Sequence, residues 1–194
     1  MKTFLFRHGE STYNREGRVQ GWTEDSVLTE EGHSQSVRIA QFFQNEGLDE
    51  LWSSDLPRAV QTAEAMLTVL KGTKHSVSHL LRERAQGIFE GRSYTDPEWQ
   101  AAQVRPERLS EEGETREAVL ARMQEFFAAL AARNLHSDTR IGVISHGGAI
   151  RIFLEELGEG QRGKIPSLQQ GDIAELDCTP EHRFSLQHIF SLFS

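Results

Sequence analysis

Cysteine is almost missing from this chain: Cys178 stands alone among 194 residues. One thiol cannot close an internal disulfide, so a core must hold the fold, and a reducing, cytoplasmic setting is expected. Long apolar runs are missing as well. Only Phe4, Leu5 and Phe6 precede Arg7 at the N-terminus, where a secretory leader needs roughly 7–15 apolar residues. No stretch approaches the roughly 18 apolar residues of a membrane helix, and no membrane partner is expected. Proline is scarce, with five residues, and neither an internal repeat nor a linker rich in Gly, Ser and Pro divides the chain. Basic residues are in deficit, 21 Lys and Arg against 29 Asp and Glu, for a formal charge of −8. That balance excludes the broad cationic face that nucleic acid or an anionic lipid surface calls for.

What is present suits a globular protein. Hydrophobic residues make up 37% and charged residues 26%, which rules out disorder and a continuous coiled coil. A chain of this length buries about 70% of its extended surface, so residues 1–194 are expected to form a single domain.

Short apolar runs alternate with segments of helical period. Lys2–Phe6, Leu51–Ser53 and Ile141–Ile144 read as strands, with Ala174–Cys178 and Phe184–Phe190 as late strands near a sheet edge. Thr29 reads as the N-cap of a helix running to about Glu46, with Glu30 and Glu31 in its first turn. Ser54, Asp55 and Pro57 open another, with Ala59, Ala63, Met66 and Leu70 on one face. Thr115 caps a long helix with Val119, Phe126 and Leu130 inward. Ser145–Gly148 is expected as a tight turn before a helix over Ala149–Leu157. The alternation predicts an α/β fold, a three-layer sandwich whose mostly parallel central sheet is flanked by helices. The polar, proline-punctuated stretch 92–113 is expected as a small lid-like insertion over the active site.

Two strands end alike. Lys2–Phe6 runs into Arg7-His8-Gly9-Glu10, and Ile141–Ile144 into Ser145-His146-Gly147-Gly148. Each places a histidine where open α/β sheets bind ligands. The glycines that follow let backbone approach a ligand closely and offer N–H groups to an anion. A lone histidine among eight is most often structural; two at matched strand ends, each followed by glycine, are a different matter.

These residues carry a family resemblance. Arg7-His8-Gly9-Glu10-Ser11, with Asn14, Gln20 and Gly21 following, resembles the signature of the histidine phosphatase superfamily, phosphoglycerate-mutase-like branch. The likeness continues, in the family's order, through Leu28-Thr29 and Gly32. It takes in Ser54-x-Leu56-x-Arg58-Ala59-x-Gln61-Thr62-Ala63 and Leu81-x-Glu83. It then runs through Gly87-x-Phe89-Glu90-Gly91 to Ser145-His146-Gly147-Gly148, covering residues 1 to about 157. The resemblance implies a covalent phosphohistidine mechanism needing no cofactor and no metal. His8 would be the nucleophile, and Arg7 and Arg58 would favour its neutral form while gripping phosphate oxygens. His146 would complete a cationic cradle for the transferring phosphoryl group, and Glu83 would be the proton donor to the leaving alcohol. Asn14, Gln20, Gly21 and the Gly147 backbone would add phosphate contacts.

Blander readings accompany these. Glu83 lies between Arg82 and Arg84 and also reads as part of a solvated charge run; Asn14 also reads as a turn residue. Glu90 is an alternative acid at a position that is more often structural. Two arginines beside His8, Glu10, Glu83 and His146 suit an anion better than a metal cation. Ser145 lacks the Gly-x-Ser-x-Gly elbow of a serine hydrolase. Val27 stands where the family commonly has proline, and Gln86 where glycolytic mutases carry an aromatic. The insertion lacks the mutases' paired arginines. The expected activity is therefore hydrolysis of a small phosphorylated metabolite, with a mutase and a non-catalytic binding module as alternatives. Tyr94, Trp99, Arg105 and Arg108 are candidates to meet the substrate's organic part. A homodimer is left open.

The acidity is unevenly spread. Residues 1–22 hold four basic and two acidic residues (net +2), whereas 23–50 hold one and seven (net −6). With a screening length of about 8 Å, the distant acids do not decide what the histidine-bearing strand ends bind.

Overall fold

A computed structural model describes residues 1–105, 113–133, 135–158, 165, 167–179 and 183–193. The strands are β1 (Lys2–Arg7), β2 (Glu50–Ser53), β3 (Lys74–Val77), β4 (Arg140–Ser145), β5 (Asp172–Cys178) and β6 (Phe184–Ser191). They form one sheet in the order β3-β2-β4-β1-β5-β6. The first four strands in that order are parallel; beyond them β5 runs antiparallel to β1, and β6 antiparallel to β5.

The period of two along β1 explains the layers. Phe4 and Phe6 point to one face, where they meet Ile39 and Ala40 of helix α2 (Glu30–Phe42), Phe43 at its C-cap, and Ala59, Ala63 and Met66 of α3 (Pro57–Leu67). Leu5 points to the other, among Val119, Met123 and Phe127 of α5 (Arg116–Ala131) and Ile150 and Phe153 of α6 (Gly147–Leu157). Phe127 and Phe153 stack with ring centroids 4.2 Å apart. Full burial of a residue such as Phe6 contributes about 1.5–3 kcal/mol. Two cores on one sheet give the expected three-layer sandwich.

Several boundaries differ from expectation. α2 stops at Phe42 rather than Glu46, because the chain turns through Gly47 at φ +73, a conformation glycine adopts at little cost. α3 stops at Leu67, although Leu70 is still buried against it. Ser145–Gly148 is no separate turn: Ser145 ends β4, His146 is the helix N-cap, and α6 begins at Gly147. Among the described residues, five elements carried no expectation: α1 (Thr12–Glu16), strand β3, α4 (Pro97–Gln103) and two short 3-10 turns at His79–Leu81 and Gly87–Phe89. α4 lies in the 92–113 stretch. Asp96 caps it, and Trp99 and Ala102 pack against Val19 and Phe89 in a third small apolar cluster. Residues 106–112, Arg108 included, lie outside the described part.

Candidate active site

The parallel register of β1 and β4 builds the centre. Arg7 pairs with Ser145, and the His8 N–H donates to the Ser145 carbonyl at 3.0 Å. The next residue on each strand is a histidine, so His8 and His146 lie side by side, ring centroids 5.0 Å apart. Both are buried. Matched strand ends in the sequence thus become neighbours at the carboxyl edge of the sheet, where α/β folds bind ligands.

The His8 ring is oriented by its own backbone. Nδ1 lies 2.7 Å from the Gly9 carbonyl oxygen, which can only accept, so Nδ1 carries the proton and Nε2 keeps a lone pair. Burial, then Arg58, then Arg7, holds the His8 pKa well below that of an ordinary imidazole. Burial and the same arginines hold His146 well below it too. These shifts favour the uncharged form of both rings, and the guanidiniums of Arg7 and Arg58 bring positive charge to the cradle.

Arg58 enters on the first turn of α3 with no exposed surface. Its guanidinium donates to the carbonyls of Gly21 (2.8 Å) and Thr23 (3.1 Å), and burial lowers its pKa to about 10. Gly21 has φ +57, a conformation that favours glycine, and a Cβ there would fall 2.1 Å from Glu90 Oε1, so a larger residue would strain the loop that receives Arg58 and displace the Glu90 side chain. Arg7 donates to the Leu168 carbonyl at 3.3 Å. Arg7 Nε, Arg58 Nε and both ring nitrogens of His146 are buried with no hydrogen-bond partner among the described residues. Arg7 and Arg58 line one cavity, while His146 is buried beside His8 and does not line it; unpartnered buried polar atoms of this kind are costly in a folded protein unless an anion engages them.

Glu83 faces this cluster from the loop after β3. Its Oε1 accepts from the N–H groups of Arg84 (2.8 Å) and Ala149 (2.9 Å), and its Oε2 from that of Gly148 (2.9 Å). The carboxylate thereby caps α6, where the helix dipole favours negative charge. Gly148 is needed for this approach, since a Cβ would lie 2.5 Å from Glu83 Oε1. The loop itself is clamped by Arg122 of α5. Its Nη1 donates to the carbonyls of Leu80 and Arg82, and its Nη2 to that of Glu83 at 2.9 Å. Its other hydrogen bonds go to the carboxylate of Glu114, which also accepts from the Ala85 N–H. Ser145 Oγ donates to the Leu81 carbonyl at 2.8 Å and so ties β4 to the same loop.

A cavity of about 350 Å³ opens over these groups. Arg7, His8, Gln20, Gly21, Arg58 and Glu83 line it, with Gly147 at its base. Tyr94, Trp99 and Gln103 of the 92–113 stretch form part of its wall; Arg105 is exposed and does not line it.

Asn14 is not brought to the cavity wall. It completes a capping box on α1 with Ser11, and its Oδ1 accepts from the Ser11 backbone and hydroxyl. Gln20 lines the cavity while its Oε1 is held by the hydroxyls of Ser11 and Ser26, both at 3.0 Å. Glu90 accepts from the N–H groups of Trp22 and Gln86, which suits its structural reading. Of the glycines after the histidines, Gly147 and Gly148 line the cavity, whereas Gly9 permits contact with Gly32, where a Cβ would lie 2.4 Å from the carbonyl oxygen. Sequence reasoning missed Arg122 and Glu114, whose polar pattern resembles any solvated helix face. It also passed over Arg84 and Arg151, which line the cavity as well.

Comparison with known proteins bears on this geometry. Residues 3–189 match the family described as the histidine phosphatase superfamily (branch 1). The chain is 30% identical over 182 residues to fructose-2,6-bisphosphatase TIGAR of Xenopus tropicalis, covering 91% of this chain and 59% of that protein. It is 33% identical over 164 residues to the probable phosphoglycerate mutase GpmB of Cronobacter sakazakii, covering 81% and 74%. The structure of a mycobacterial glucosyl-3-phosphoglycerate phosphatase in complex with VO3 superposes with a TM-score of 0.81 at 24% identity, over 96% and 97% of the two chains; that likeness speaks to the fold. Relatives of this chain thus include both phosphatases and mutase-like proteins. With the match running nearly end to end and two strand-end histidines side by side over an arginine-lined cavity, the chain belongs to the histidine phosphatase superfamily, branch 1.

Proposed function

We propose that the protein is a phosphatase that hydrolyses a small phosphomonoester through a phosphohistidine on His8. The observation that carries this reading is the His8 ring, whose Nδ1 is held 2.7 Å from the Gly9 carbonyl oxygen while burial and two arginines favour its neutral form. Nε2 then attacks phosphorus, and the bond from phosphorus to the ester oxygen breaks. Glu83 protonates the departing alkoxide. Its Oε1 accepts two N–H groups and its Oε2 only one, so Oε2 keeps a lone pair for that proton. Water then attacks the phosphohistidine, Glu83 takes a proton from it, the P–N bond breaks, and phosphate leaves. Arg7, Arg58 and His146 supply preorganised donors to the phosphoryl oxygens throughout. As negative charge arrives, the His146 imidazole gains the partner that its protonated form requires.

Hydrolysis is favoured over the mutase reading by the insertion's described part. A mutase must keep a doubly phosphorylated intermediate away from water. Here Arg92 pairs with Asp96 and Glu98 instead of lining the cavity, and no described arginine of the stretch reaches it. Tyr94, Trp99 and Gln103 of the 92–113 stretch serve in this reading as a wall over the substrate. A phosphate-release assay across phosphorylated metabolites tests the proposal. Release that disappears in His8→Ala is the expected result; interconversion of phosphoglycerate isomers faster than release would establish a mutase instead.

A further inference from the structure

Trp22 is a large apolar side chain whose place apolar packing does not explain. It is 38% exposed, belongs to none of the three apolar clusters among the described residues, and does not line the cavity. Its polar edge is engaged instead. The indole Nε1–H donates to the Glu83 carbonyl at 2.6 Å. Arg122 of α5 donates to the same oxygen at 2.9 Å, so both lone pairs of that carbonyl are taken. The ring is held in its orientation by Arg82, whose guanidinium lies 4.9 Å from its centroid. Arg82 is in turn fixed as a fork on the Asp55 carboxylate by two bonds of 2.8 Å.

The backbone of the same residue serves the other half of the site. Its two neighbours, Gly21 and Thr23, offer the carbonyls that receive Arg58. The Trp22 N–H donates at 2.9 Å to Glu90 Oε1, which also accepts from the Gln86 N–H beyond Glu83. One residue therefore joins the loop that seats a cradle arginine to the loop that carries the proton-transfer side chain. We propose that Trp22 is a positioning residue for Glu83. Its indole N–H fixes the backbone of Glu83 relative to the seat of Arg58, and so holds the carboxyl group at the reach that protonating an alkoxide requires.

The kinetic part of this proposal rests on the phosphatase reading; the structural part does not. Trp22→Phe keeps a ring beside Arg82 and loses the donor. Trp22→His restores an N–H at the ε position, and at about pH 8 the new imidazole is uncharged. Hydrogen exchange followed by NMR reads Glu83 directly, because its carboxylate is the acceptor for the Gly148 and Ala149 amides at the start of α6. Trp22→Phe should speed exchange of those two amides at least fivefold, with Leu154 further along α6 changed less than twofold. Its kcat for glycerol 3-phosphate should fall at least tenfold with KM changed less than threefold. With p-nitrophenyl phosphate, whose leaving group needs no proton, kcat should change less than threefold. Trp22→His should return every one of these values to within threefold of the unsubstituted protein. Unchanged exchange at Gly148 and Ala149, acceleration spread through α6, equal losses for the two esters, or no recovery in Trp22→His each overturns the role. If the unsubstituted protein releases phosphate from neither ester nor any other phosphorylated metabolite, the phosphatase reading fails, and the exchange rates alone decide whether Trp22 positions Glu83.

Discussion

Glu83 Oε2 accepts a hydrogen bond from the Gly148 N–H at 2.9 Å across 65 residues of sequence. The carboxyl group proposed to move the proton is thus also the cap of the helix that starts at the second histidine. Loop, helix and nucleophile are thereby held in one geometry, as catalysis by preorganised groups requires.

The proton-transfer role predicts a dependence on the leaving group. Glu83→Gln should lower kcat about 10²–10⁴-fold for an alkyl phosphate, whose alkoxide needs a proton. With p-nitrophenyl phosphate, whose leaving group needs none, the loss should stay below tenfold. Equal losses for both esters would assign Glu83 to capping alone.

Arg58→Met removes a buried fork while keeping an unbranched apolar stem. Its kcat/KM should fall about 10²–10³-fold, the usual cost of one preorganised donor. A fall of less than tenfold, in a variant whose circular dichroism is native, would place Arg58 outside the cradle.

The buried histidines predict acid sensitivity with a definite sign. Burial and the arginines hold both folded-state pKa values well below the ordinary imidazole value, which is about 6.5 in the unfolded chain. Below about pH 6.5 the unfolded chain therefore binds more protons than the folded one, and stability drops as pH falls from that point towards the folded-state values. Each histidine contributes a slope of up to about 1.4 kcal/mol per pH unit. Denaturant titrations between pH 7 and 5 should show the decline, His8→Ala should reduce its slope, and inorganic phosphate should weaken it by favouring the charged rings. A flat profile would contradict neutral, buried histidines.

Arg122 does not line the cavity, yet it holds the carbonyls on either side of the proton-transfer side chain. Arg122→Met should lower kcat at least tenfold with KM changed less than threefold. Breaking its nearly buried pair with Glu114 should also remove about 3 kcal/mol of stability, seen as a fall of about 6–12 °C in Tm. A stability loss with kcat intact would leave Arg122 a structural residue only.

The sheet, its two helical layers and the paired histidines were legible in the sequence because their signals are local. Thr29 and Thr115 cap their helices as their spacing suggests, and the apolar runs ending in His8 and His146 mark the strand ends. What escaped depends on tertiary partners. The start of α6 at Gly147 follows from a cap supplied by Glu83, on another loop. β3 has the sequence Lys74-His75-Ser76-Val77, with no apolar alternation, and is a strand because β2 offers it an edge. Asn14 reads equally as a ligand contact and as a cap, and only the packing of Ser11 decides. Arg122 has no local mark at all, since its partners are backbone carbonyls from a distant loop.

The central proposal, a covalent bond from His8 Nε2 to phosphorus, is tested most directly by trapping. The protein is mixed with an isotopically labelled phosphomonoester, quenched in alkali during turnover, and the label is mapped by peptide analysis. Label that survives alkali, is released by acid, maps to His8 and is absent from His8→Ala is the predicted result. Turnover without any label, or label that persists in His8→Ala, would contradict it.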